Sequence, residues 1–67
     1  MNEYLITTMW FLLSNKIKRN VEETKEIMQG MYKRLESDNH FNLSEFSYDI
    51  QDAFEFYLKS KKTLNFD

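Results

Sequence analysis

The chain contains no cysteine and no proline, one glycine and one histidine. Each scarcity removes a class of explanation. Without cysteine there is no disulfide to staple a small core, and no thiol nucleophile. One histidine and no cysteine fall short of the four nitrogen or sulfur ligands of a structural zinc site. One glycine, Gly30, provides no glycine-rich loop to cradle a phosphate. No spaced run of carboxylates resembles a calcium loop. Charge of one sign is also lacking, since the net value is −2. That disfavours nonspecific nucleic-acid binding, which rests on phosphate neutralisation by Lys and Arg. It is equally too small to argue for a mimic of DNA.

A long hydrophobic run is missing as well. The apolar stretch Tyr4–Leu13 is about half of what spans a bilayer. Glu3 stands before it where a secretory signal carries basic residues, and no small-residue cleavage site follows. These features favour a buried helix in a cytoplasmic protein over a membrane-bound one. Absence of cysteine fits a reducing compartment.

What remains is a chain of 67 residues without staples, expected to form a single domain. A core this small rarely yields more than about 3–5 kcal/mol. Association with another chain is the staple left, unless the helices pack unusually well.

With no proline and one glycine, periodic segments run long and favour helices. The first is expected at about 3–19. Leu5, Met9, Leu13 and Ile17 form an i, i+4 ladder, with Ile6, Trp10 and Leu12 beside it. The run Ile6-Thr7-Thr8 is compatible with a strand at its start. The second helix is expected at 21–37. Asn20 is a good N-cap, with Glu23 as its capping-box partner. Val21, Thr24, Ile27, Met28, Met31, Tyr32 and Leu35 form its apolar stripe. Gly30 interrupts its polar face, as a tolerated residue, a kink or a point of close approach.

Ser37-Asp38-Asn39-His40 reads as a turn. The third helix is expected at 43–61. Asn42 and Glu45 have capping-box spacing, and Phe41 and Phe46 that of a hydrophobic staple. Phe46, Ile50, Ala53, Phe54, Tyr57 and Leu58 form its apolar face. Residues 63–67 are expected to fray, unless Leu64 and Phe66 dock. Short connections make this an all-α, three-helix unit with the second and third helices as antiparallel neighbours.

The abundance to explain is aromatic: six Phe, four Tyr and one Trp, eleven in all. Seven fall on core faces, on the staple or in the tail. Four do not. Tyr4 and Phe11 share the side of the first helix opposite the ladder, so that helix is apolar on two sides. A second copy of the chain is the simplest cover, which makes Tyr4 and Phe11 candidate self-association residues of a homodimer. On the third helix, Tyr48, Asp49, Asp52, Glu55 and Phe56 form an acidic-aromatic face, a candidate partner-binding surface.

No catalytic constellation is visible, no cofactor site is implied, and His40 is expected in a solvated turn. Function is therefore expected to be non-enzymatic: a protein-interaction module such as an inhibitor, adaptor or regulatory subunit. The Lys-, Asn- and Glu-rich style resembles short chains encoded by AT-rich bacteria, phages and plasmids. Two alternatives stand beside it. A DNA-binding helix-turn-helix is opposed by Glu45, Asp49 and Asp52 at the start of the third helix. A peripheral membrane protein would use the first helix, whose other face lacks the expected lysines.

Overall fold

A computed structural model describes residues 2–66. Three α-helices and one short 3-10 turn make up the architecture, with no strand among the described residues. α1 spans Glu3–Ile17, α2 Val21–Ser37 and α3 Tyr48–Leu64, with the 3-10 turn at Leu43–Glu45. The expected all-α three-helix unit is thus the observed one.

Each boundary has a local cause. α1 opens on Asn2, whose side chain accepts from the Leu5 amide. It is helical from the outset, so Ile6-Thr7-Thr8 does not begin a strand. It closes two residues before Arg19, because Lys18 turns left-handed (φ 59°). The amides of Lys18 and Arg19 then both reach the Ser14 carbonyl, satisfying the helix end as a Schellman-type cap does. Asn20 follows in extended geometry and starts α2. Its Oδ1 accepts from the Glu23 amide at 2.8 Å, while its Nδ2 donates to Glu23 Oε1 at 2.8 Å. The expected pairing of Asn20 and Glu23 therefore forms.

α3 begins five residues later than expected. Asn42 does cap, but only a 3-10 turn, with its Oδ1 accepting from the Ser44 amide and hydroxyl. Phe41 and Phe46 do meet, with ring centroids 6.1 Å apart. Phe46 and Ser47 are nevertheless extended. The Phe46 carbonyl accepts from Gln51 Nε2 at 2.8 Å, and Ser47 becomes the N-cap. At its other end α3 runs on to Leu64, beyond the expected 61. Thr63 and Leu64 are helical, and Asn65 turns left-handed as a cap. Phe66 returns to the core, 9% exposed, with its ring 6.2 Å from Tyr57. The fraying expected at 63–67 is therefore replaced by docking through Phe66, while Asp67 lies outside the described residues.

The core comprises Met9, Trp10 and Leu13 of α1, Met28 and Met31 of α2, and Ala53, Phe54 and Tyr57 of α3, with Phe66. Thr24 is fully buried, and its hydroxyl is satisfied by the Asn20 carbonyl at 2.8 Å. α1 packs against both other helices, whereas α2 and α3 approach each other least closely. Large rings stand between those two: Tyr32 lies edge-on to Tyr57 at 6.4 Å, and Phe41 packs against Phe54 at 6.1 Å. The second and third helices are thus neighbours through these rings, and α1 seats against both.

Candidate docking face between α1 and α3

α1 buries Met9, Trp10 and Leu13 against the rest of the molecule. At 100° per residue, its opposite side carries Tyr4, Thr8, Phe11 and Asn15, with Leu5 and Leu12 on the flank toward α3, none of them charged. The structure leaves the apolar ones in solvent: Tyr4 is 78% exposed, Phe11 57%, Leu12 54% and Leu5 43%. Thr8 donates its hydroxyl to the Tyr4 carbonyl at 2.9 Å, so it asks for no partner outside the helix.

Phe56 of α3 stands against the Leu5–Leu12 flank of this helix. It is 47% exposed and lines a shallow apolar groove with Leu5, Met9, Leu12 and Leu64. It also meets Leu12 and Leu13 beside Lys16. The two helices run antiparallel along the groove. Lys16, near the end of α1, is paired with Asp49 and Asp52 at the start of α3, at 3.7 and 3.8 Å. Leu5, at the start of α1, faces Thr63 and Leu64 at the end of α3.

This geometry rearranges the residues singled out by sequence. Tyr4 and Phe11 do share one exposed face. Phe56 lines the groove with Leu5 and Leu12, while Tyr48, Asp49, Asp52 and Glu55 stay exposed on the same helix. Asp49 and Asp52 stand at one end of the groove, where Lys16 offsets one of their two charges. All three partners remain 46–63% exposed in their side chains, so the pairs add little stability and mainly position charge. Tyr48 is 83% exposed and Glu55 is also exposed; neither lines the groove. Leu5 and Leu12, which periodicity assigns to the core, lie instead on the outer face. Their position on the edge of the α1 apolar arc is the only signal of this in the sequence.

Other candidates are less organised. His40 is almost wholly exposed, its amide capped by Asp38 Oδ1 at 2.9 Å. Among the described residues, no group of three or more His, Cys, Asp or Glu is placed to hold a metal ion. Among them too, no helix is long and apolar enough to cross a membrane.

These features define a small three-helix unit with an open apolar groove. Neither protein-family models, nor curated proteins, nor solved structures yield a match to the chain.

Proposed function

We infer that this chain is a non-enzymatic interaction module, an inhibitor, adaptor or regulatory subunit, that works by pressing the α1–α3 face against another protein chain. One observation carries this reading. Five large apolar side chains of α1 and α3, Tyr4, Leu5, Phe11, Leu12 and Phe56, are left exposed on a very small molecule, with Leu5, Leu12 and Phe56 around one groove. Scattered exposed apolar residues are ordinary, but a contiguous patch of several hundred Å2 marks a contact site. Aromatic rings on such a patch supply most of the binding energy at low entropic cost.

The test compares the chain with a Phe11→Ser, Phe56→Ser variant as bait in extracts of its native host. A protein held by the first and lost from the second is then purified and titrated against both. Weakening by roughly tenfold or more supports the reading. Equal binding by both chains rejects it.

A further inference from the structure

We propose that the occupant of the α1–α3 face is a second copy of this chain, bound about a two-fold axis through Leu12 and Phe56. This rests on the reading of that face as a protein-contact surface and names its partner. Two independent features support it.

The first is area. At ~200 Å2 per aromatic side chain, the exposed fractions of Tyr4, Phe11 and Phe56 leave roughly 350 Å2 of ring surface in water. The half-exposed Leu5 and Leu12 add on the order of 100 Å2. A folded monomer of this mass, 8.2 kDa, exposes about 4,500 Å2, whereas this chain exposes 4999 Å2. Two such patches, with the polar side chains around them, reach the ~1,000 Å2 at which a specific interface begins. That size fits a weak, reversible dimer.

The second is charge. A two-fold axis places each feature opposite its own far end. One end of the groove holds Asp49 and Asp52 with only Lys16 to offset them. On the other side of Phe56, one turn further along α3, lies Lys59. Antiparallel docking therefore brings Lys59 of one copy toward Asp49 and Asp52 of the other. At the axis itself stand the apolar Leu12 and Phe56, with Lys16 on one side and Lys59 on the other.

The position on the axis supplies the test. Sedimentation equilibrium is run on the full chain at high micromolar concentration, alongside Leu12→Lys and Leu12→Glu. Both substitutions are at an exposed site, and unchanged far-ultraviolet circular dichroism confirms that each variant folds. The parent is expected to sediment as a dimer, and each variant alone as a monomer, with dissociation constants raised about tenfold or more. An equimolar mixture of the two is expected to regain dimer mass, because the introduced ammonium and carboxylate then face each other across the axis. Lys59→Glu is expected to weaken the parent dimer.

A parent chain that stays monomeric overturns the proposal, as does a dimer indifferent to all three substitutions. The more general reading fails separately. A monomeric parent that binds a different protein, and loses it on Leu12→Lys, removes the self-pairing and keeps the contact surface. A monomeric parent that instead sediments with lipid vesicles removes both.

Discussion

At the scale of single residues, the backbone offers two places where sequence and geometry disagree. Gly30 lies within α2, where glycine weakens a helix, yet its backbone conformation is ordinary. A methyl group there would meet no neighbouring atom within 4 Å. α2 runs unbroken through Gly30. Gly30→Ala is therefore expected to stabilise the fold by about 0.5–1 kcal/mol. A higher urea midpoint with unchanged slope is the readout. A loss of stability would show that the position serves an approach by another chain. Lys18 presents the converse, a side chain bearing a Cβ at φ 59°. Lys18→Gly removes that steric cost and is expected to raise stability by roughly 0.5–1 kcal/mol. The same measurement, made at two salt concentrations, separates this gain from the loss of a charge.

At the scale of elements, local signals are decisive where they have no competitor. α2 is legible to the residue because Asn20 and Glu23 satisfy each other within one turn, and nothing nearby competes for them. The start of α3 is ambiguous in the sequence because two start sites lie close together. Asn42 and Ser47 are both competent caps, and the chain uses both, one for a 3-10 turn and one for the helix. What decides between them is not local. Phe41 packs on Phe54 and Phe46 together, with Arg34 above its ring at 5.4 Å, and this holds the intervening turn apart from α3. The end of α3 escapes sequence reasoning for a similar reason: Phe66 is ordered by folding back onto Tyr57 and Lys61, a contact that helical periodicity does not encode. Lys61 Nζ lies 5.4 Å from the Phe66 ring and donates to its carbonyl at 3.4 Å. Phe66→Ser should therefore cost about 2 kcal/mol, the value of burying one such ring. It should also speed amide exchange in the last turn of α3 relative to α2. Exchange that stays equal in the two helices would mean that the tail contributes nothing to the element.

At the scale of the whole molecule, the two faces of α1 impose conflicting demands. Its inner side organises the core, and its outer side is apolar where a monomer would place charge. The sequence shows that α1 is apolar on two sides. It does not show which edge α3 covers, so periodicity counts Leu5 and Leu12 as core and does not bring Phe56 beside them. That depends on the antiparallel seating of α1 on α3, fixed by contacts distant in the chain. The consequence is thermodynamic. A fold of this size without disulfides holds only a few kcal/mol, and binding of the folded form to itself adds stability that grows with concentration. The melting temperature of the parent chain is expected to rise as protein concentration is raised from low to high micromolar. In Leu12→Lys it should be flat over the same range. At high dilution, where dimers dissociate, the two melting temperatures should converge, since Leu12 is 54% exposed and contributes little to the monomer core. Added salt should weaken the concentration dependence of the parent, because the proposed contact of Lys59 with Asp49 and Asp52 across the interface would act through screened surface charge. A parent melting curve independent of concentration would place all the stability within one chain and leave the outer face of α1 without a role in the fold.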